Sequence, residues 1–348
     1  MRVLVTGGLG FIGSHIVEYY LKKGWRVTIL DNFYSNAGHS NKSKGVLYNL
    51  DHLRRNYGEI ELVNRDVRSF DSVKEAAKDA DFIFHTAAQV AVTTSLKDPR
   101  TDFETNALGT LNVLEAARLN DSAVVFCSTN KVYGTNINKI PVREYEKRYA
   151  FADEDYSNGI PETFPIDACW HSPYGCSKLA ADIYVQDYAH TYGLRSGVFR
   201  LSCVYGERQF GVEDQGWLSW FVIATLTNRP ITIYGDGKQV RDVLFVTDLI
   251  RAFDSFLASN LKHEVFNLGG GPQNTLSLLE LFDFIEKVSG KRPRVSFADW
   301  RPADQKVYVS DIRKAERLLG WRPNVNPSDG VSRIFRWTSN NIDLFTES

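Results

Sequence analysis

Residues 2–13 of the 348-residue chain read RVLVTGGLGFIG, an apolar run followed by a glycine-rich turn. The run predicts a first β-strand, and HIVEYYLKKG shortly after the turn predicts a helix. Gly7, Gly10 and Gly13 therefore lie between a strand and a helix, the context of a dinucleotide-binding fingerprint. In that context Gly7 permits the tight turn, Gly10 lets a pyrophosphate approach the backbone, and Gly13 lets helix and strand pack closely. The alternative is that the glycines serve only a tight turn.

Residues beside this turn predict which dinucleotide binds. The start of the helix, at Phe11 and Ile12, offers unpaired N–H groups to phosphates. Asp31 ends the second predicted strand, RVTILD, where its carboxylate would accept hydrogen bonds from the adenosine ribose hydroxyls. Because a carboxylate repels a 2′-phosphate, the sequence favours NAD over NADP.

Three residues are predicted to contact the adenosine end of the cofactor. Asn32 follows Asp31 directly, whereas Asp66 and Val67 come after IELVN, where a third strand would end. The Asp66 carboxylate could accept a hydrogen bond from the adenine amino group. A solvated surface acid is an equally good interpretation of that residue.

The order of the predicted elements indicates the fold class. Short β-branched strands alternate with helical segments through DFIFHT (81–86) and AVVFCST (123–129). This alternation predicts parallel βαβ units in a Rossmann-type, doubly wound α/β sheet, with a smaller, interleaved C-terminal substrate domain. We expect the NAD-binding domain at 1–200 plus about 238–262, and the substrate domain at about 201–237 plus 263–348. The polar stretch 32–46 predicts a mobile loop, and 135–172 a second irregular region.

The composition argues against several kinds of partner. A formal net charge of −1 gives no reason to expect nucleic acid or an anionic membrane. No apolar run reaches the ~18 residues that a membrane helix needs, and residues 1–6 lack the pattern of a signal peptide. The four cysteines show no metal-like spacing, so we expect no metal site and a reducing, cytoplasmic location.

A candidate catalytic pattern is a tyrosine followed by a lysine four residues later, since this spacing puts both on one helix face. A nearby ammonium would favour the phenolate and lower a pKa that is about 10 in free tyrosine, giving a base for a sugar hydroxyl. About one occurrence is expected by chance in a chain of this composition. The pattern occurs three times, at Tyr19/Lys23, Tyr174/Lys178 and Tyr234/Lys238.

A set of motifs in order along the chain resembles the extended short-chain dehydrogenase/reductase family, which contains the nucleotide-sugar epimerases and dehydratases. The similarity runs nearly from end to end. The motifs are TGGLGFIG (6–13), HTAAQ (85–89), TNALGTLNVLEAA (105–117), STNKVYG (128–134), SPYGCSKLAAD (172–182) and YGDGKQVRDVLFVTDL (234–249).

The resemblance implies which tyrosine reacts. In the family the active pair opens the helix after the strand that carries the serine/threonine motif, and only Tyr174 and Lys178 do so. Lys178 is then expected to lower the pKa of Tyr174 and to hold the nicotinamide ribose. Thr129 takes the place of the hydroxyl that hydrogen-bonds the reacting sugar oxygen.

The same motifs imply further cofactor contacts and exclude one reaction. Ala87, Gln89 and Asn106 are assigned to the NAD site, together with Tyr174 and Lys178. Family 4,6-dehydratases carry two acids directly after the catalytic hydroxyl residue, where this chain has Asn130 and Lys131. Without that acid and base, dehydration is disfavoured.

Two arginines resemble the family's clamps for the nucleotide diphosphate. Arg241 lies in GKQVRD and Arg301 in DWRPADQ. Arginine suits phosphate because its planar fork pairs with two oxygens. A surface ion pair is the alternative for each.

One region indicates the branch of the family. Ordinary 4-epimerases carry an asparagine where LSCVYGERQFG has Cys203. The segment that follows, GERQFGVEDQGW (206–217), resembles the CDP-paratose (CDP-tyvelose) 2-epimerase branch. It includes Gln209, an expected substrate contact.

The branch implies a reaction and an assembly. The reaction is NAD-dependent inversion at C2 of CDP-paratose to give CDP-tyvelose, through a transient keto intermediate. One alternative is a UDP-sugar 4-epimerase using the same residues, and another is a non-catalytic NAD-binding sensor, which would predict a broken Tyr–Lys pair. Helical stretches beginning near residue 100 and at 174 imply a homodimer.

Overall fold

The computed structural model describes residues 1–34, 44–301 and 304–346, and the chain divides into two compact units. The first unit comprises Met1–Val132, Ser172–Arg200 and Ile250–Phe266. The second comprises Tyr133–His171, Leu201–Leu249 and Asn267–Ser348. Most of the expected loop at 32–46 lies outside the described residues.

The strands and helices alternate over most of the described chain. The strands are β1 (Arg2–Thr6), β2 (Arg26–Leu30), β3 (Glu61–Val63), β4 (Phe82–His85), β5 (Ala123–Thr129), β6 (Val142–Glu144), β7 (Tyr149–Phe151), β8 (Ser196–Leu201), β9 (Cys203–Tyr205), β10 (Ile231–Tyr234), β11 (Val240–Phe245), β12 (His263–Leu268), β13 (Thr275–Ser277), β14 (Val295–Ala298) and β15 (Val307–Tyr308).

The helices are α1 (Phe11–Lys22), α2 (Lys44–Tyr57), α3 (Phe70–Ala76), α4 (Val92–Lys97), α5 (Pro99–Phe103), α6 (Gly109–Asn120), α7 (Pro173–Tyr192), α8 (Trp217–Leu226), α9 (Val246–Ala258), α10 (Leu278–Ser289), α11 (Arg313–Leu319) and α12 (Pro327–Asn340). A π-helical turn at Glu104–Leu108 joins α5 to α6. 3₁₀ segments occupy Asn130–Lys139, where a non-helical Gly134 separates two helical pieces, and also Glu154–Tyr156 and Ile342–Leu344. No helix in these ranges combines the length and the apolar character needed to cross a bilayer.

A seven-stranded parallel sheet organises the first unit, in the order β12-β8-β5-β4-β1-β2-β3. The strand order reverses at β1, which pairs in parallel with β2 on one side and β4 on the other. Ligands of doubly wound sheets bind at such a switch point, beyond the carboxyl ends of the strands. The predicted α/β fold class is confirmed.

Apolar side chains explain why these segments pack as they do. The central strands are buried on both faces, as expected of a parallel sheet covered by helices. Helix α1 turns Ile16, Val17 and Tyr20 inward. A core of fully buried residues such as Val113, Phe126 and Val185 joins the sheet to α6 and α7.

The second unit is built from smaller sheets. Strand β11 pairs with β9 and β15 in parallel and with β13 in antiparallel orientation, β10 pairs with β14, and β6 pairs with β7.

The boundary between the units differs from the expected one. Residues 133–171 and 238–249, expected in the first domain, belong to the second unit. Within that unit the N–H of Tyr149 donates to the carbonyl of Lys238 at 2.9 Å, and Tyr149 packs in a small apolar cluster with Val240 and Val307. The functions assigned to the two domains stay predictions.

Candidate active site

The glycine-rich turn lies at the carboxyl end of β1, beside β4. Gly7 has φ of +68°, and a Cβ there would stand 2.8 Å from the backbone of Ala87. A Cβ on Gly13 would stand 2.1 Å from the Gly7 oxygen, so α1 approaches the turn more closely than any larger residue allows. Within the described chain, a Cβ on Gly10 would meet only that same oxygen, at 3.2 Å, which leaves this backbone accessible to a ligand.

Helix α1 begins without a side-chain cap. Its N-cap is Gly10, which has no side chain to offer the first N–H groups. Because the first N–H groups of a helix have no acceptor within it, those of Phe11 and Ile12 point outward and favour an anion. The donors and the accessible backbone at Gly10 fit the pyrophosphate of a dinucleotide.

Asp31 is held beside this turn by backbone donors. Its Oδ2 accepts the Leu9 N–H at 3.0 Å and its Oδ1 accepts the Phe33 N–H at 2.8 Å. Burial raises the pKa of Asp31, and the two hydrogen bonds partly offset that effect. The carboxylate is therefore fixed in place next to the turn, while its contact with a ribose stays a prediction.

The residues predicted at the adenine end form a polar cluster of their own. Asn32 donates to Asp66 at 2.9 Å, and Arg68 donates to the same carboxylate through Nε at 3.0 Å and Nη2 at 2.9 Å. Burial raises the pKa of Asp66, but the hydrogen bonds and charge of Arg68 and the Asn32 amide outweigh it and hold the pKa below its usual value. Val67 is buried, and its carbonyl accepts from Asn112 at 2.9 Å. The adenine contact itself stays a prediction.

Local sequence determines where α7 starts and so where Tyr174 lies. Ser172 is the N-cap and accepts the Gly175 N–H at 3.2 Å, and Pro173 occupies the first helical turn. Both choices favour a helix start at this point. Tyr174 and Lys178, 9% and 3% exposed, consequently occupy the first two turns of the helix.

The surroundings of Tyr174 correct one expectation. Burial raises the pKa of Tyr174 to about 12, with smaller raising effects from Asp102 and Cys127, while a hydrogen bond with Thr129 lowers it. Lys178 is not among the groups that lower the pKa. The helical spacing alone therefore does not produce the expected acidic phenol, because the lysine side chain is engaged elsewhere.

Lys178 is buried against β5. Its Nζ donates to the Cys127 carbonyl at 2.7 Å and lies 4.2 Å from the centre of the Phe126 ring. Burial lowers the pKa of Lys178 to about 8, although Cys127, Asp182 and Asp102 act in the raising direction. The ammonium is thus held by a carbonyl and an aromatic face rather than by a contacting carboxylate.

Thr129 ends β5 and is the third member of the predicted catalytic set. Its hydroxyl accepts the Lys131 N–H at 3.2 Å and donates to Asn130 at 3.4 Å. Thr129 lies close enough to Tyr174 to lower the pKa of that phenol, so the structure brings these two predicted residues together. Asn130 is buried as well, so an amide occupies the position at which dehydratases of the family carry an acid.

An ion pair missed at the sequence level ties α7 to β8, and a hydroxyl of β5 joins it. Arg200 donates to Asp182 through Nε and Nη2, both at 3.0 Å, and Ser128 donates to Asp182 at 2.6 Å. Ser128 directly precedes Thr129, and Asp182 lies one turn after Lys178. The signal available in the sequence was the position of Asp182, four residues after the lysine in SPYGCSKLAAD.

A second network missed at the sequence level surrounds Asn106, which lies in the π-helical turn. Gln89 and Asn106 donate to the Oδ1 of Asp102 at 2.8 and 3.2 Å, and the Ser177 hydroxyl donates to its Oδ2 at 2.5 Å. The Gln89 N–H donates to Asn106 Oδ1 at 2.9 Å, and Asn106 Nδ2 donates to the Gln89 carbonyl at 3.0 Å. Both predicted cofactor residues therefore belong to one buried polar cluster, whose centre is Asp102.

In the second unit, the predicted diphosphate clamps pair with carboxylates. Arg241 donates to Asp304 at 2.8 Å, and Arg301 donates to Asp214 at 2.9 Å while lying 4.1 Å from the centre of the Tyr234 ring. The ion-pair alternative is thus realised for both arginines. Binding of a diphosphate stays a prediction.

The other predicted substrate residue, Gln209, supports its own loop. Its Nε2 donates to the Val204 carbonyl at 3.2 Å and its Oε1 accepts from Ser219 at 2.5 Å. Nearby, the indole N–H of Trp217 donates to the sulfur of Cys203 at 3.4 Å. The residue that distinguishes this chain from ordinary 4-epimerases therefore contacts the distinctive segment 206–217.

Tyr234 and Lys238 do not form a catalytic pair in this structure. The Tyr234 hydroxyl donates to Glu213 at 3.1 Å, and the Lys238 ammonium donates to Glu144 at 2.6 Å. Tyr234 ends β10, Lys238 lies in the connection to β11, and each has a different carboxylate partner.

The chain is similar in sequence to known nucleotide-sugar epimerases. A CDP-paratose 2-epimerase from Salmonella typhi is 42% identical over 97% of this chain and 99% of its own length. A UDP-glucuronate 4-epimerase from Thermodesulfobacterium geofontis is 30% identical over 98% of this chain and 97% of its own length.

Structural comparison gives the same result. The crystal structure of a UDP-glucose 4-epimerase from Thermus thermophilus in complex with NAD is 33% identical, with a TM-score of 0.77 over 97% of this chain and 99% of that one. The family model described as the NAD-dependent epimerase/dehydratase family matches residues 3–269. The chain therefore belongs to the NAD-dependent epimerase/dehydratase family, a family of enzymes whose cofactor is NAD.

Proposed function

We propose that this enzyme inverts C2 of a CDP-linked 3,6-dideoxyhexose, converting CDP-paratose to CDP-tyvelose. The observation that carries the proposal is the 42% identity to a CDP-paratose 2-epimerase, which extends over nearly the full length of both chains. The amide of Asn130 supports it, because a 4,6-dehydratase needs an acid at that position.

Tyr174 is the proposed acid and base. Its phenol lies beside Thr129, which would orient the sugar hydroxyl that loses its proton to Tyr174. When bound, NAD supplies a positively charged nicotinamide ring that accepts a hydride from the sugar carbon and later returns it. Since the pKa of Tyr174 is about 12 in this structure, a phenolate at neutral pH requires added positive charge near the ring.

Lys178 is proposed to hold the nicotinamide ribose. Its ammonium already donates to the Cys127 carbonyl, and its remaining N–H groups are available to a hydroxyl. With a pKa of about 8, it also exchanges its proton close to neutral pH.

Arg241 and Arg301 are proposed to bind the diphosphate, with Gln209 shaping the adjacent loop. Each arginine would exchange its present carboxylate partner for phosphate oxygens, which guanidinium groups bind in pairs. Replacement of either arginine should therefore raise KM for the nucleotide sugar more than it lowers kcat.

Product analysis tests the proposed reaction. The purified enzyme is incubated with CDP-paratose and, separately, with UDP-glucose and UDP-glucuronate, and NMR identifies the inverted carbon. Inversion at C2 of the CDP-sugar is expected. Efficient formation of 4-epimers from the UDP-sugars would instead establish the alternative, a UDP-sugar 4-epimerase, while no hydride exchange with any nucleotide sugar would favour an NAD sensor.

Two earlier predictions remain proposals: a homodimer and a cytoplasmic location. The helices expected at the dimer interface, α5 with its following turn and α7, expose large apolar side chains. These are Phe103, Leu108, Ile183 and Tyr184. Light scattering should give the mass of two chains.

A further inference from the structure

Asp102 is a fully buried carboxylate at the end of α5, close to the proposed catalytic pair. All three of its side-chain partners, Gln89, Asn106 and Ser177, are donors. These donors favour the ionised carboxylate. Burial raises the pKa of Asp102, while Ser177, Gln89 and the charge of Lys178 act to lower it. Asp102 therefore brings a negative charge into the interior of the first unit.

The charge of Asp102 has no contacting counter-ion in the described chain. The other buried acid beside α7, Asp182, differs in this respect, because Arg200 pairs with it through two nitrogens. An unpaired buried charge is costly, and its field extends further than that of a neutralised pair. Tyr174 and Lys178 on α7 are among the groups that respond to it.

Asp102 is linked to the catalytic pair by geometry. Ser177, whose hydroxyl donates to Asp102 at 2.5 Å, lies between Tyr174 and Lys178 in α7. The same hydroxyl lies 3.1 Å from the carbonyl of Tyr174. The carboxylate thus fixes the helical turn that carries both residues.

We propose that Asp102 is a positioning residue for the epimerisation, holding the Tyr174–Lys178 turn through Ser177 and contributing part of the negative charge around the Lys178 ammonium. The proposal rests on the proposed function for its kinetic consequences only. Consistent with it, Asp102 contributes to raising the pKa of both Tyr174 and Lys178.

The other ionisable groups around the pair differ from Asp102 in their charge or in their pairing. Burial raises the pKa of Cys127 to about 12 and lowers the pKa of His85 to about 3, so both are neutral between these values. Asp182 also raises the pKa of Lys178, but Arg200 pairs with it. Further acids on the helices that pack against α7 pair near the surface, Glu104 with Arg100 and Glu115 with Arg118.

The decisive variant is Asp102→Asn, which removes the charge and keeps a side chain of the same shape. An asparagine can still accept from Gln89 and Asn106, while Ser177 can donate to the Tyr174 carbonyl. Loss of a negative charge favours the phenolate and disfavours the ammonium, so both pKa values fall. In the holoenzyme, both limbs of the pH profile of kcat/KM should move to lower pH.

Lys178 provides a readout that does not depend on turnover. In ¹⁵N-lysine-labelled protein, the Lys178 signal is assigned by its loss in Lys178→Met and then titrated. In Asp102→Asn it should titrate at lower pH than in the parent protein. This measurement tests the charge effect even if the nucleotide sugar is not the one proposed.

Two controls separate charge from packing. Ser177→Ala removes the link without removing the charge, so kcat should fall while the Lys178 titration stays in place. Asp98→Asn removes an exposed acid from the N-cap of α5, the helix that carries Asp102. Because asparagine caps equally well at this position, neither kcat nor the Lys178 titration should change.

The proposal is overturned if Asp102→Asn changes neither the Lys178 titration nor the two limbs of the pH profile of kcat/KM. It is also overturned if Ser177→Ala shifts the titration and the limbs as much as Asp102→Asn does. Should Asp102→Asn not fold, Asp102→Ser carries the same test, since its smaller neutral side chain also removes the charge.

Discussion

Two tyrosine–lysine pairs with the same spacing, both on helices of the first unit, have opposite surroundings. On α1, the Tyr19 hydroxyl donates to Asp254 at 2.9 Å and Lys23 pairs with the same carboxylate at 2.6 Å. On α7, Tyr174 and Lys178 are buried and share no contacting carboxylate.

This difference changes the ionisation of the two lysines. The pKa of Lys23 is raised, because hydrogen bonds and charges from Asp254 and Tyr19 outweigh the lowering effect of burial. The pKa of Lys178 is lowered to about 8 by burial. Spacing brings a phenol and an ammonium to one helix face, but what surrounds them determines whether the pair serves packing or chemistry.

Removing the tyrosine hydroxyl should give the largest difference in activity between the two pairs. Tyr174→Phe should lower kcat by about 10³-fold, as expected for loss of a general acid and base. NAD content, measured by absorbance after denaturation, should be unchanged. The matched variant Tyr19→Phe should keep parental activity, and full activity in Tyr174→Phe would falsify the role proposed for this residue.

Replacement of each lysine should affect stability with opposite dependence on pH. The unfolded chain protonates Lys178 at its ordinary pKa of 10.5, whereas the folded protein does so only near pH 8. Between these values the unfolded state binds more protons, so this group adds stability as pH rises, by about 3 kcal/mol in total. The stability of the parent relative to Lys178→Met, from urea unfolding at pH 7 to 10.5, should therefore increase.

For Lys23 the change of stability with pH has the opposite sign. Its raised pKa means that its contribution is present below the unfolded value of 10.5 and is lost as pH rises through the folded value. The stability of the parent relative to Lys23→Met should therefore decrease at high pH. Parallel curves for the two lysine variants would contradict the assignment of Lys178 as a buried, uncompensated ammonium.

The contact between Thr129 and the phenol of Tyr174 is the next feature to test. Thr129→Val removes the hydroxyl that lowers the pKa of Tyr174 and accepts the Lys131 N–H. We expect kcat/KM to fall by about tenfold and its rising limb to move to higher pH. Thr129→Ser keeps the hydroxyl and should retain most activity; equal loss in both variants would point to packing of the methyl group instead.

The smallest effect is expected at Asp254. Asp254→Asn keeps the geometry but removes the charge shared by Tyr19 and Lys23, an interaction at a partly exposed site. Stability should fall by about 1 kcal/mol or less, without change in kcat. A marked loss of turnover would mean that the α1 pair influences the reaction.

The fold and much of the site could be predicted because their signals are local. The glycine turn needs three small residues at fixed positions, and the structure shows that Gly7 and Gly13 have no room for a Cβ. The start of α7 follows from Ser172 and Pro173, which stand beside the tyrosine in the chain. Asp31 follows from the end of its strand.

Other features depend on residues far apart in the chain. Asp102 meets Ser177, and Ser128 meets Asp182, across separations that no local pattern reports. The pairing of β6 and β7, and the contact of Tyr149 with β11, placed residues 133–171 in a unit other than the expected one.

The sequence by itself determined the doubly wound class, because that class follows from the local alternation of strands and helices. The dinucleotide turn and the reactive tyrosine are predictions, the first from neighbouring glycines and the second from the family resemblance of the motifs around Tyr174. Only the tertiary structure decided the ionisation of that tyrosine and its lysine. A pKa responds to burial and to every nearby charge, and those are set by which distant segments fold against α7. Instead of being lowered as expected, the pKa of Tyr174 is raised, because the phenol is buried away from water. The Lys178 ammonium donates to a carbonyl of β5.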